Sequence, residues 1–156
     1  MERKVQIRKY RIEDFDQIAA IYNAAHPGEF YCEEGEFSFV PWTEDDYIMS
    51  LLADSDVYVC EDDSILGFCG YLGDKINWMF VQPKSSGKGV ANKLLTHILP
   101  KLNAGTFLFV LKSNARAIAL YKKFGFTINK EFVVNFQGHH LLFNKMIIKT
   151  SKFNSE

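Results

Sequence analysis

The 156-residue chain contains no apolar run approaching the roughly 20 residues that span a bilayer, so no membrane helix is expected. Cysteine is scarce: Cys32, Cys60 and Cys69 are odd in number and none stands in C-x-x-C spacing. That argues against a disulfide framework or a zinc site and fits a reducing compartment, with each thiol a small buried side chain. The charged start, MERKVQIRKYRIEDF, lacks a following apolar stretch, so no secretory signal is expected and the reading places the chain in the cytoplasm. Neither an internal repeat nor a linker is visible. Residues 1–149 are expected to form one domain, long enough for a core, and the polar stretch TSKFNSE at 150–156 a frayed tail.

Charge of one sign is missing from each half. Glu13 to Asp74 holds 16 Asp or Glu and no Lys or Arg, whereas Lys75 to Lys130 holds ten Lys or Arg and no Asp or Glu. The net charge of −1 hides this segregation. A basic half suits a polyanionic ligand, and an acidic half draws a cationic second ligand by the opposite field.

The basic half is built around INWMFVQPKSSGKGVAN, from Ile76 to Asn92. Ile76 to Val81 reads as a buried strand, broken at Gln82-Pro83 because proline donates nothing to a sheet. Lys84 to Gly89 is a small basic loop, and Ala91, Leu94, Leu95 and Ile98 then recur as one helix face. Gly87 and Gly89 let the backbone pass close to a ligand, and the first N–H groups of the helix point outward unpaired. Strand, glycine loop and helix in that order make an anion site suited to phosphate.

Elsewhere the elements follow in sequence. Val5 and Ile7 mark a short strand. Phe15, Ile18, Ala19 and Tyr22 share a helix face that His26-Pro27 closes, with His26 a helix-end residue. Pro27 to Trp42 has no period. It interleaves Glu29, Glu33, Glu34 and Glu36 with five aromatics, as a functional loop would. Thr43 with Asp46 resembles a capping box for a helix through Ile48, Leu51 and Leu52. Strands at Val57 to Cys60 and Ile65 to Leu72 flank a hairpin turn. Thr106 to Leu111 is apolar throughout, as a strand covered on both faces would be, and forms a right-handed βαβ unit with 76–81. A second helix follows, with Ala117, Leu120, Tyr121 and Phe124 on one face, Ser113 or Asn114 at its start and Gly125 at its end. Phe126 to Phe132 and Leu141 to Ile148 are the last strands.

A dinucleotide fold requires a third glycine where Asn92 stands and an acid about 20 positions on, and a P-loop requires Gly-Lys-Ser/Thr. Neither is present. V-x-P-x-x-x-G-x-G-x-A at Val81 to Ala91, followed by S-N-x-x-A-x-x-x-Y-x-x-x-G-F at Ser113 to Phe126, resembles instead the GNAT N-acetyltransferase superfamily, its small single-domain members above all. The likeness is clear from Val57 to Phe132. It implies an α/β (α+β) fold with a mixed, mostly antiparallel sheet of six or seven strands, about four flanking helices and a parallel pair at 76–81 and 106–112.

It also implies acetyl-CoA as co-substrate, no metal and an amine acceptor. Gly87, Lys88, Gly89, Val90, Ala91 and Asn92 correspond to the pyrophosphate loop. Met79, Phe80 and Val81 correspond to the strand edge along the pantetheine, and Asn114 to the residue whose side chain bonds it. Tyr121 corresponds both to a cofactor contact and to the general acid for the leaving thiolate. Ser86 departs from the family, which usually has Gln or Arg there, and Lys84 and Lys88 offer compensating charge.

Amine attack on a thioester requires a neutral amine, a stabiliser for the oxyanion and a proton for the thiolate. The phenol of Tyr121, ordinarily near ~10, can supply that proton. The base stays open among Glu33, Glu34, Glu36, His139, His140 and a water chain. The acidic, aromatic loop predicts a cationic acceptor: a small polyamine-like or aminoglycoside-like molecule, an N-terminus, or a protein lysine. Contact with nucleic acid or a membrane is not expected, and the chain would act as a monomer or homodimer. The other reading is a non-catalytic module that senses acyl-CoA.

Overall fold

The computed structural model describes residues 4–149. The tail at 150–156 lies outside the described residues. The strands are β1 (Gln6–Lys9), β2 (Asp56–Glu61), β3 (Ile65–Leu72), β4 (Lys75–Val81), β5 (Phe107–Leu111), β6 (Phe126–Phe136) and β7 (His139–Ile148). The helices are α1 (Phe15–Ala25), α2 (Asp46–Asp54), α3 (Val90–Ile98) and α4 (Ala115–Lys123). All seven strands form one sheet in the order β1-β2-β3-β4-β5-β7-β6, antiparallel except for β4 beside β5.

The sheet buries a different core on each face. Ile18, Ile21 and Tyr22 of α1 pack with Trp42, Val59, Phe68, Trp78 and Phe80. Leu94, Leu95 and Ile98 of α3 and Tyr121 of α4 pack with Leu108, Val110, Met146 and Ile148 on the other side. The 3.6-residue spacing of apolar side chains puts one stripe of each helix against the sheet.

One irregularity in β4 decides where the molecule opens. Gly70 of β3 faces Trp78 and Tyr71 faces Ile76, so Asn77 has no partner on β3. This is a β-bulge, which bends a strand and can end its pairing. On the other side, β4 and β5 share only the position Lys75 opposite Phe107, supported by Phe107 N–H donating to Asp74 O at 2.8 Å. Beyond that point the two parallel strands part. Gly70 is required at the bulge, because a Cβ there would come within 2.6 Å of the Trp78 ring.

Several expectations are corrected. β5 is not covered on both faces: Leu108 and Val110 are buried, but Phe109 is 43% exposed, with Lys75 Nζ 4.6 Å above its ring. The cap of α2 is Asp45, whose Oδ1 accepts from Ile48 N at 3.1 Å, not Thr43. The last two strands extend to Phe136 and back to His139, joined by Gln137 (φ 52°) and Gly138 (φ 83°). Positive φ at both central residues is the two-residue hairpin turn that matches strand twist.

The loop Pro27 to Trp42 is pinned as a strap from the end of α1 to the β6–β7 turn. Trp42 is fully buried, and its N–H donates to Asn23 Oδ1 at 2.9 Å. Ser38 N–H donates to Gln137 Oε1 at 2.9 Å, and Gln137 Nε2 donates back to Ser38 O at 2.7 Å. Phe30 stacks on Phe136 with centroids 5.5 Å apart.

At the opposite edge, Arg8 binds two carboxylates. Nη1 and Nη2 donate to Asp14 at 2.8 and 2.9 Å, and Nε and Nη2 donate to Glu61 at 2.6 and 3.0 Å. The Arg8 hydrogen bonds hold both carboxyls below their ordinary range. A depressed carboxyl contributes stability above its unfolded value near ~4 and loses it as pH falls through the folded value. Arg8→Met is therefore expected to cost about 3 kcal/mol at pH 7, because it strands the buried Asp14 charge. It should also weaken the loss of stability between pH 5 and pH 3 that urea midpoints record in the parent. Equal acid sensitivity in the two proteins would refute this role.

Candidate active site

A cavity of about 780 Å³ occupies the gap between β4 and β5. Its walls are residues 76–81 of β4, residues 108–110 of β5, the loop from Pro83 to α3, the inner side of α4, and Ala24, Ala25, Gly28 and Glu29 at the end of α1. The edge of β4 that faces this gap has no ladder partner beyond Lys75 among the described residues. Its polar backbone groups are available to an extended ligand.

At one end lies the glycine loop. Gly87 and Gly89 both adopt φ 81°, the left-handed region that disfavours side chains. Gly89 precedes the first turn of α3, and the first helical bond to it is from Lys93 N–H, four residues on, to Gly89 O at 3.0 Å. The N–H groups of Val90, Ala91 and Asn92 thus lie ahead of it with no helical acceptor. Gly67 lets α3 sit close over β3: a Cβ there would meet Val90 Cγ1 at 2.8 Å and Phe80 O at 2.9 Å.

The cations on the cavity wall are Arg116 and Lys123 of α4, and Lys123 is beside this end, its Nζ donating to Asn92 Oδ1 at 2.9 Å. Lys88, expected there from sequence, is exposed and off the wall, as is Lys84. Met79, Phe80, Val81, Gly87, Gly89, Val90, Ala91, Asn92, Asn114 and Tyr121 all line the cavity, as does Ser86. Asn114 caps α4, its Oδ1 accepting from Ala117 N at 3.2 Å. That leaves its amide N–H groups as donors.

Tyr121 is 7% exposed and edge-on to Phe126, with centroids 5.7 Å apart. Burial pushes its phenol well above the ordinary value, and the Glu29 charge adds to the rise.

The bases weighed from sequence are elsewhere. Glu33 accepts from Ser113 Oγ, which ties the strap to the residue before the α4 cap. Glu34 and Glu36 are exposed, and His139 packs on Phe37 at 4.9 Å. Neither these residues nor His140 line the cavity. Glu29 does, and sequence reasoning passed over it. The available signal was its place three residues after the helix-ending His26-Pro27. The chain there makes a single 3-10 turn, His26–Phe30, and His26 Nδ1 donates to Glu29 Oε1 at 2.7 Å. Glu29, Tyr121, Arg116 and Lys123 are the ionisable side chains of the cavity among the described residues. No group of three or more His, Cys, Asp or Glu that could hold a metal ion is found among them. None of their helices is long and apolar enough to cross a membrane.

Residues 53–128 match the family model described as an acetyltransferase (GNAT) domain. The chain carries a GNAT acetyltransferase domain. Peptidyl-lysine N-acetyltransferase YjaB of Escherichia coli strain K12 is 28% identical over 133 residues, covering 80% of this chain and 83% of that protein. Among solved structures, the ribosomal-protein-S18-alanine N-acetyltransferase of Escherichia coli superposes with a TM-score of 0.73 at 20% identity, over 95% of each chain. The yncA protein of Salmonella typhimurium, solved with its cofactor acetyl-CoA, gives 0.72 at 20% identity, over 97% of this chain and 96% of that one. The seven-stranded sheet with its parting parallel pair is the GNAT fold, and the chain is an acyl-CoA-dependent acetyltransferase.

If the GNAT loop holds a pyrophosphate on its amides, its backbone shape is the limiting feature. Space is open at Gly89, where a Cβ would have only Lys93 Nζ at 3.6 Å for a neighbour. Gly89→Val should then act through φ alone. CoA affinity by calorimetry is expected to fall tenfold or more, about 1.4 kcal/mol, with the far-UV spectrum unchanged. Unaltered affinity would mean that the anion sits elsewhere.

Proposed function

We propose that the chain, as one domain over residues 1–149, transfers the acetyl group of acetyl-CoA to a primary amine by direct attack within a ternary complex. The observation that carries this reading is the set of groups gathered on one cavity: the glycine loop with Lys123 bonded to Asn92 beside it, Arg116, the unpaired β4 edge, Tyr121 and Glu29. Each suits one part of the reaction.

The amides of Gly87 to Asn92 bind the pyrophosphate, and Arg116 and Lys123 offset its charge. Met79, Phe80 and Val81 offer backbone groups to the pantetheine amides, as a strand offers them to a neighbour. An amide of the same edge polarises the thioester carbonyl. Asn114 donates to the pantetheine from the amide nitrogen that capping leaves unused. Tyr121 gives its proton to the departing thiolate.

The acceptor is a cationic amine approaching past the strap. The peptidyl-lysine activity in the name of the YjaB relative favours a protein lysine. Asp45 caps α2 and Glu33 accepts from Ser113 Oγ, so among the carboxylates of the strap attraction of the amine is assigned to Glu29, Glu34 and Glu36. The reaction takes place in the cytoplasm, by a monomer or homodimer and without a metal. A module that only senses acyl-CoA would have no use for a proton donor at Tyr121.

Thiol release from acetyl-CoA across a panel of amines, lysine peptides included, tests the reading. Tyr121→Phe is expected to lower kcat by about 10²-fold or more while acetyl-CoA affinity stays within about twofold, since the phenol acts mainly in the transition state. Full turnover by this variant would leave the ring a packing residue.

A further inference from the structure

The cavity wall holds one carboxylate among the described residues, Glu29, and that carboxylate is hydrogen-bonded to His26. A carboxylate only accepts, so His26 Nδ1 must carry the hydrogen in their 2.7 Å bond. Glu29 Oε2 has no protein partner among the described residues. The imidazole is held from several sides. Tyr22 stacks on it with centroids 4.8 Å apart and planes 13° from parallel, and Phe30, Phe39 and Phe80 stand edge-on at 5.7, 5.2 and 6.0 Å. His26 does not line the main cavity. It lines a second, smaller cleft of about 180 Å³ with Tyr22, Asn23, Pro27, Phe39 and Pro41. The ring is thus bonded on one side to a group of the main cavity and borders a separate space.

We propose that Glu29 is the general base of the acetyl transfer and that His26 is its positioning residue. The proposal rests on the acetyltransferase reading above. An ammonium acceptor, R–NH3+, gives one proton to Glu29, and the neutral nitrogen then attacks the thioester carbonyl carbon. The C–N bond forms, the C–S bond breaks, and Tyr121 protonates the thiolate. The nitrogen, now bearing its surplus proton, restores Tyr121. The first proton then leaves Glu29 for water in the open cavity, while the Nδ1–H of His26 holds the carboxylate in place throughout. Charge and atoms balance as amine cation plus thioester to amide, thiol and one proton. The ionisable groups facing this pair are Tyr22 on α1 and Tyr121 on α4.

The geometry explains why the base is absent from the central strands. The bulged residue that lines the cavity is Asn77, not an acid, and the turn after α1 brings a carboxylate to the wall. Pro27 follows the end of α1, and Gly28 and Glu29 line the cavity.

The test uses the full chain, acetyl-CoA and the best amine of the panel. Glu29→Gln is expected to lower kcat/KM by 10²-fold or more at pH 7 while CoA binding by calorimetry is unchanged. Its deficit should shrink as pH approaches the pKa of the free amine, because a neutral acceptor dispenses with the base. His26→Ala should lose about tenfold. His26→Asn keeps an N–H near the position of Nδ1, and it should recover the positioning part of that loss. A merely structural histidine would show no such rescue and no change in the pH profile. A Glu29→Gln enzyme with the parent's rate and pH profile would overturn the base, and equal rates for the two His26 variants would overturn the positioning role. If the parent binds CoA but releases no thiol with any amine, the acetyltransferase reading fails first and the base with it. The two failures are therefore told apart by the parent alone.

Discussion

The bulge at Asn77 is the constraint on which the rest depends. Parallel neighbours in a sheet normally pair along their length, and a paired β4 and β5 would close the space that becomes the cavity. Placing one unpartnered residue in β4 turns the strand after a single shared position, Lys75 opposite Phe107. The cost is a row of backbone groups without ladder partners. Unmatched and dry, each would be unfavourable by roughly 1–3 kcal/mol, so the arrangement persists only where water or a ligand reaches them. The open gap supplies that access. A defect in the sheet and a binding edge are the same feature.

Parting the strands requires that both sides be fixed independently. On the β4 side, Gly70 accepts the Trp78 ring and Gly67 accepts Val90, so the bulged strand and α3 are both seated on β3. On the β5 side, Asn114 caps α4 and Lys123 reaches back to Asn92 across the cavity. The strap is fastened at Trp42, at Gln137 and at Ser113, each to a different part of the molecule. An acceptor therefore meets a wall already formed. Ordering that wall in advance removes part of the entropy loss that would otherwise oppose binding.

The sequence made some of this legible and not the rest, for physical reasons. The glycine loop and the helix stripes depend on neighbours within a few residues and were read at the right positions, and the α4 cap, narrowed to Ser113 or Asn114, is Asn114. The strap's anchors join residues 80 to 99 positions apart, Glu33 to Ser113 and Ser38 to Gln137, and no local pattern encodes them. The bulge was hidden for a similar reason, because INWMFV is an unbroken apolar run and only its register against β3 reveals the extra residue. Phe109 was taken for a core residue because apolarity does not say which face is covered. Lys88 looked right by adjacency, yet the exposed loop carries it away from the cavity, and Arg116 and Lys123 arrive from a helix. Of the segregated charges, Glu29 from the acidic half and Arg116 and Lys123 from the basic half line the cavity.

The raised pKa of Tyr121 at first counts against its role, since a phenol harder to ionise is a weaker acid toward a thiolate. Burial is the larger cause, and it acts on both partners: the low-dielectric pocket that disfavours phenolate also disfavours thiolate. Proton transfer between them keeps one negative charge in the same surroundings, so much of the burial effect cancels. The second cause does not cancel in this way. It is the negative charge of Glu29, and that charge disappears once the carboxylate has taken a proton from the acceptor. Loading the base thus makes the acid stronger. The proposed base and acid are coupled through space, and the coupling favours the order the chemistry requires, deprotonation of the amine before protonation of the leaving sulfur.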